Sequence, residues 1–418
     1  MLPAGILAAA LIALMAFAPF ASAASDPLAS GKTTMTLQKS FTNYLKTFGI
    51  TVAKVSPAKL SGGKATFNVT GGSLDPTTGK GTVNLGGGLN FKAGKKSAQV
   101  KGLVLSTEKK SLTGKVGGKK VKLATIAGWS FKRAGFGVNL TINKVKLTNA
   151  GATQLNKKLG YAKGKPKPFL KNKLIAKAAS ETQPSTVTVL PVGNMTFVGS
   201  PVLLTKLKNV EVKLQTLGLT QQPAPTTFTG PILGGTVSPT GTAGVVQSGI
   251  GIKMTQNLPL QVGAITTNIT LGGIYVDLAA KTATVEVIAE SNAESPTGSG
   301  KKPLNLGNLG RSSIADITVT GVTADPTTRT VAVNSAGVLQ AVSAEVLQGF
   351  VSVYQAYAEG GAQLKFCEAS PGHCTGVNEK AEKEEAAAVG KKAGEEVAKN
   401  HISAGEALGT FSFTAQAQ

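Results

Sequence analysis

Gly71–Phe91 reads GGSLDPTTGKGTVNLGGGLNF, and its order of turn and strand residues decides the fold class. Asp75-Pro76-Thr77-Thr78-Gly79 has the chemistry of a tight turn, because Pro suits the first central position and Gly supplies a positive φ. Beyond it, Gly81–Phe91 alternates as a strand does and runs into a second glycine cluster. Gly234–Lys253 reads GGTVSPTGTAGVVQSGIGIK and repeats the plan: two glycines, a polar-Pro-Thr turn, a glycine-punctuated strand. The chain therefore reads as two copies of one β-rich unit.

Composition agrees. At 418 residues there is room for two domains, taking roughly 150 residues for each. Aromatic content is 5% and Gly numbers 51, a balance that favours short strands and many turns over long packed helices. Outward from the opening stretch, strands are expected at Ile50–Val55, Lys64–Val69, Ala98–Ser106, Ser111–Val116, Lys119–Ile126 and Phe136–Val145. Asp26–Lys32 reads as a linker. Ser40–Gly49 reads as a brief helix capped by Ser40, with Phe41, Leu45 and Phe48 at helical spacing and Gly49 as its stop. Leu147–Gly160 holds a second helix, capped by Thr148 or Asn149 and ended by Gly160.

The same series recurs after Thr186. There Val331–Leu347 parallels Val145–Leu159, with a longer helix through about Tyr357, and Leu408–Ala415 returns as the closing strand. Asn378–Asn400, rich in Ala, Glu and Lys, reads as a solvated helix outside the core. The expected fold is mainly β: two tandem antiparallel β-sandwich-like domains, each with one or two short helices, plus a helical insert in the second. The first domain spans 24–182. The second spans 183–418 and carries the Cys-containing acidic insert at about 366–402.

Residues 1–23 read as a secretory leader, with an apolar run at Gly5–Ala18 and the small-residue motif Ala21-Ser22-Ala23 before cleavage. No Lys or Arg precedes that run, so a membrane anchor is the competing reading. No later segment is apolar enough to span a bilayer. Cys367 and Cys374 are the only cysteines, and in an exported chain a local disulfide is the leading reading. A Cys/His metal site with His373 is the alternative.

Charge is divided unevenly. Net charge is +23, yet residues 24–190 hold 29 of the 44 Lys and Arg and 4 of the 21 Asp and Glu. That leaves +25 in the first copy and −2 in the remainder. Such asymmetry implies an anionic partner for the first copy. Nucleic acid is not expected, since Arg133 is the only Arg there and base-edge readout relies on bidentate Arg. An acidic cell-envelope polymer, anionic lipid headgroups or a carboxylated small ligand fit better.

Enzyme chemistry is not expected. The first copy has no His and few acids, so it lacks acid–base pairs. There is no zinc-spaced cluster, nucleophile elbow or phosphate loop, and the glycine clusters open no helix.

The short helix with Tyr44, the Gly71–Thr82 turn, the glycine-rich strand and the late Ala-Gly-containing helix together resemble the HtaA domain of exported bacterial haem-uptake proteins. The resemblance covers nearly all of residues 34–180 and, less closely, 186–418. It implies a secreted or cell-envelope-associated protein that binds haem, with a phenolate as the hard anionic donor to ferric iron. Tyr44 matches the position of the iron ligand, and Tyr161 matches a second tyrosine of the pocket. The family's histidine, in a Phe-x-Gly-His-like context, is replaced: Phe91-Lys92-Ala93-Gly94-Lys95-Lys96 puts Lys95 there. In the second copy, pairing Thr47–Thr51 with Thr216–Thr220 sets Lys213 opposite Tyr44, so that copy is expected to lack the ligand. The competing readings are Tyr44 as a core-boundary residue and Tyr161 as a loop aromatic. In those, the first domain serves as a structural or adhesive module that holds anionic wall polymers through its lysines.

Overall fold

The structure is a computed structural model that describes residues 25–161, 166–260, 263–292, 307–369 and 379–418. The expected leader at 1–23 lies outside the described residues, as do His373, Cys374 and most of the Ser291–Lys302 loop. The chain divides into two compact units. The first comprises residues 1–188 with 324–330 and 417–418, and the second comprises 189–323 with 331–416.

In the first unit the order is β1 (Asp26–Leu37), α1 (Lys39–Thr47), β2 (Ile50–Val55), β3 (Lys59–Ser61), β4 (Lys64–Leu74), β5 (Gly81–Ala93), β6 (Lys96–Ser106), β7 (Ser111–Val116), β8 (Lys119–Ala134), β9 (Gly137–Leu147), α2 (Asn149–Leu159) and β10 (Leu174–Pro184). The sheet runs β5-β6-β7-β8-β9-β10-β1-β4, and β4 pairs back onto β5. Eight antiparallel strands thus form a closed ring, with β2 and β3 attached at β5 and β4. The two layers expected of a sandwich are the two sides of one closed sheet. Closure leaves the ring no unpaired edge.

The opening stretch is the hairpin that closes this ring, with Leu74 opposite Gly81 and Val69 opposite Leu85. Asp75 builds the turn. Its carboxylate accepts hydrogen bonds from Thr77 N (2.7 Å), Thr77 Oγ1 (2.6 Å), Thr78 N (3.2 Å) and Thr78 Oγ1 (2.6 Å). Gly79 N donates to Asp75 O at 2.8 Å. Period-two alternation then sends Phe67, Leu105, Leu140 and Ile142 into the barrel, where α1 adds Phe41 and Leu45.

Two local expectations are corrected. Asp26–Lys32 is not a linker but the start of β1, which pairs with β4 and β10. Its inward face is partly polar and satisfied internally, as where Thr33 and Ser180 share a buried hydroxyl hydrogen bond of 2.7 Å, so hydrophobic alternation does not reveal it. Helix α1 is capped at Gln38, not Ser40. Gln38 N donates to Ile175 O at 2.9 Å, and Gln38 is the single residue between the end of β1 and the start of the helix.

In the second unit the order is β11 (Val187–Val189, where the division falls), β12 (Asn194–Gly199), α3 (Pro201–Asn209), β13 (Val212–Leu217), β14 (Gln221–Ala224), β15 (Thr227–Val237), β16 (Val245–Ser248), β17 (Gly251–Pro259), β18 (Ala264–Asp277), β19 (Thr282–Ser291), β20 (Gly307–Asp325), β21 (Thr330–Leu339), α4 (Ala341–Glu368), α5 (Glu379–Ala398) and β22 (Ala407–Gln416). The ring β15-β12-β22-β21-β20-β19-β18-β16 closes again through β16 onto β15. The expected closing strand is therefore present as β22, between β12 and β21.

Three further corrections fall in this unit. Thr216–Thr220 ends strand β13, whereas Thr47–Thr51 joins α1 to β2, so Lys213 lies on a strand and is not the counterpart of Tyr44. Helix α4 continues well past Tyr357, to Glu368. Helix α5 is also not solvated all round. Ala386, Gly390 and Gly394 recur every fourth residue and form a shallow face against α4. A Cβ on Gly390 would stand 2.6 Å from Gln363 Cγ, and one on Gly394 would stand 2.0 Å from Glu359 Oε1. Small residues, not large apolar ones, let these helices meet.

No helix among the described residues is long and apolar enough to cross a membrane.

Candidate functional site

Local chemistry at one end of the first barrel brings α1, α2 and the lysine-rich loop together. Thr148 caps α2 by accepting from Gly151 N at 3.0 Å, and Gly160 ends it in the left-handed region at φ 78°. The segment after it is held by Asn156, whose Nδ2 donates to Phe169 O (2.8 Å) and whose Oδ1 accepts from Phe169 N (3.1 Å). The Phe169 ring is buried edge-on to Phe91 at 5.2 Å and tilted against Phe41 at 6.2 Å. One aromatic anchor thereby fixes a loop whose flanking residues are lysines.

Tyr44 and Tyr161 come together through a third ring. Tyr44 stands edge-on to Phe48 with centroids 5.2 Å apart, and Phe48 stands edge-on to Tyr161 at 6.0 Å. Tyr161 Oη donates to Phe48 O at 3.3 Å, and Tyr44 Oη donates to Lys167 O at 3.3 Å. All three rings are half-buried, so each keeps an exposed part. Lys173 Nζ lies over the Tyr44 ring, 5.2 Å from its centroid, in a cation–π arrangement.

Lys95 sits apart. It is exposed in the two-residue turn between β5 and β6 and makes no hydrogen bond or ion pair among the described residues. The register Ile50↔Ala93 puts that turn beside the end of α1. The neighbouring Lys96 is the one that reaches the site. Its Nζ lies 2.1 Å from where a Cβ on Gly160 would stand, next to Tyr161. Lys96, Phe48 and Lys173 were thus not singled out by sequence, although the Lys95-Lys96 pair was the available signal.

Beside the rings, Thr153, Asn156, Lys157, Tyr161, Lys167 and Lys171 border a cleft of about 430 Å³. Tyr44 does not line it, although its hydroxyl donates to Lys167 O, and Lys167 does line it. Its surroundings are cationic, and no lysine of residues 25–188 joins an ion pair among the described residues. The arrangement offers aromatic faces, one accessible phenol at Tyr44 and several free ammonium groups. It suits a flat apolar ligand with anionic substituents. Among the described residues no group of His, Cys, Asp and Glu is placed to hold a metal ion. Of the cysteines, Cys367 lies in the last turn of α4.

No family model matches the chain, and no curated protein matches it. Among solved structures it is similar to the C-terminal domain of HtaA from Corynebacterium glutamicum, at 14% identity over 38% of this chain and 99% of that one, with a TM-score of 0.29. It is similar to the heme binding protein HtaB of that organism at 14% identity, over 56% and 95% of the two chains, with a TM-score of 0.31. For the N-terminal domain of HtaA the values are 10%, 55% and 98%, with a TM-score of 0.30.

Proposed function

We propose that the first unit binds haem, with Tyr44 as the protein ligand to ferric iron and lysines around it receiving the propionates. The observation that carries this reading is the series Tyr44–Phe48–Tyr161, rimmed by Lys96 and Lys173. The residues present fit the group. A half-exposed phenol supplies a hard donor, aromatic edges supply an apolar border, and unpaired ammonium groups match two carboxylates. The unit contains no histidine, so Tyr44 would ligate without an imidazole partner. Hemin added to the purified chain should give a Soret band of a tyrosinate-ligated ferric haem. Tyr44→Phe should weaken binding at least tenfold, while Tyr161→Phe should leave the band in place. Absence of any spectral change at micromolar hemin would sink the reading.

A second reading has its own observation, the lysines of residues 25–188 that join no ion pair among the described residues. They would hold an anionic cell-envelope polymer, a purely electrostatic interaction weakened by salt. Sedimentation with isolated cell walls that stays constant as salt rises would count against it. Both readings place the protein outside the cytoplasm, as a binding protein and not an enzyme. Export predicts a mature chain beginning at Ala24, which N-terminal sequencing of secreted material checks. A Cys367–Cys374 disulfide belongs to the same proposal, and peptide mapping without reductant tests it.

A further inference from the structure

The second unit contains a feature that the haem reading does not use. Within its barrel lies a cavity of about 90 Å³ lined almost wholly by apolar side chains. Leu204 of α3, Leu214 of β13, Leu271 of β18, Ile314 of β20 and Val346 of α4 all face it and are only half-buried. Of its lining residues, Leu309 of β20 and Val342 of α4 are the most exposed, at 39% and 61%, and mark its rim.

The strand that forms this mouth is irregular in a specific way. Along β19, Val287 faces Gly310 and Ile288 faces Asn308, which leaves Leu309 without an opposite residue. Ala283 faces Ala315 and Thr284 faces Ser313, which leaves out Ile314. Both extra residues line the cavity. Bulges re-aim side chains beside binding sites, and here both aim apolar groups at one opening. The polar part of the lining is three serines, Ser312, Ser313 and Ser343, on the two elements that carry the rim. Ser343 Oγ donates to Ser313 O at 3.1 Å, while Ser313 Oγ is buried with no hydrogen-bond partner among the described residues.

We propose that this cavity takes the end of a single aliphatic chain, from a free amphiphile with one terminal polar group of the fatty-acid or fatty-alcohol class. Size selects the class. A dry engineered cavity of about 150 Å³ holds benzene, and this smaller space suits the slender end of an aliphatic chain better than a ring. The rest of the chain lies over Leu309 and Val342 and carries the polar terminus to the exposed rim. The site is independent of the haem reading.

The test is a titration of the full chain, methyl-labelled at Ile, Leu and Val, with octan-1-ol. That probe is uncharged, so the lysines of the first unit do not attract it. Saturable one-to-one shifts confined to the methyls of Leu204, Leu271, Ile314 and their neighbours are expected. Val342→Glu, at an exposed rim position that folding tolerates, should weaken binding at least fivefold. Leu204→Trp, which fills the cavity, should abolish the shifts while leaving the circular dichroism spectrum unchanged. Octanoate should bind at the same methyls. No saturable shift at millimolar octan-1-ol overturns the proposal, as does equal binding by Val342→Glu. Flotation of the protein with phospholipid vesicles, without binding of either free probe, overturns it in favour of a bilayer surface.

Discussion

Lys173 Nζ sits 5.2 Å from the centre of the Tyr44 ring, bringing together residues from the first helix and the last loop of one barrel. A cation over an exposed tyrosine contributes about 0.5–1 kcal/mol, and the same ammonium is free to meet an anionic substituent. Lys173→Ala should therefore weaken hemin binding about three- to tenfold and flatten its salt dependence. Lys95→Ala, at an exposed turn residue without partners, should change neither. Spectral titrations at two salt concentrations separate the two lysines.

Gly81 makes the barrel-closing hairpin possible. Its φ is +140°, and a Cβ there would stand 2.1 Å from Ser73 O. That neighbour is backbone of the paired strand, which cannot move aside without opening the β4–β5 ladder. Gly81→Ala should cost about 3 kcal/mol or more, in the range of strained or overpacked sites. Lowered expression and a reduced denaturation midpoint are the readouts, and a variant with unchanged midpoint would contradict the closure argument.

Much of this was legible because strands announce themselves by alternation and turns by Gly, Pro and Asp. The Asp75 turn, the Thr148 cap, the Gly160 stop and the closing strand β22 all follow from local chemistry. Closure of each sheet was not legible, since β4 pairing onto β5 makes a barrel from the same strands that a sandwich would use. Strand β1 was hidden by inward polar residues such as Thr33, whose partner Ser180 lies far along the chain. The candidate site was legible only in part. Tyr44 and Tyr161 were singled out, but the ring that lies between them, Phe48, looked like one more core residue of α1. Lys96, not Lys95, reaches Gly160, because Lys96 opens strand β6 whereas Lys95 lies in the exposed turn before it.

Gly160 and Lys96 meet at the end of α2, and two different costs can be told apart there. Gly160→Ala forces an alanine into the left-handed region, about 1 kcal/mol, and also displaces Lys96 Nζ. That group is the free end of a flexible side chain, so moving it costs little. The double variant with Lys96→Ala should accordingly be destabilised by nearly the sum of the two single effects. A coupling above roughly 0.5 kcal/mol in the double-mutant cycle would show that Lys96 is held more firmly than its geometry implies. The hemin titration of Lys96→Ala alone then reports its part in ligand binding.

Two carboxyl groups near the closing hairpin give the first unit opposite pH dependences. Burial tends to raise Asp75, but the hydroxyls and amides of Thr77 and Thr78 outweigh it and hold the carboxyl below its ordinary range. The turn's contribution is therefore present above the unfolded pKa and is lost as pH falls through the lower folded value. Asp26 goes the other way. Burial pushes it up to about 6 from 3.8, despite hydrogen bonds from the amide and hydroxyl of Thr188 and the nearby charge of Arg133. An acid whose folded pKa is raised binds more protons folded than unfolded, so stability falls as pH rises between those two values. The full cost, about 3 kcal/mol at most by linkage, is present above pH 6. Asp26→Asn keeps an oxygen to accept from Thr188 and cannot ionise. It should raise the melting temperature at pH 7, with a gain that shrinks towards pH 4. A variant that is destabilised equally at both pH values would show that Asp26 is required as a charge.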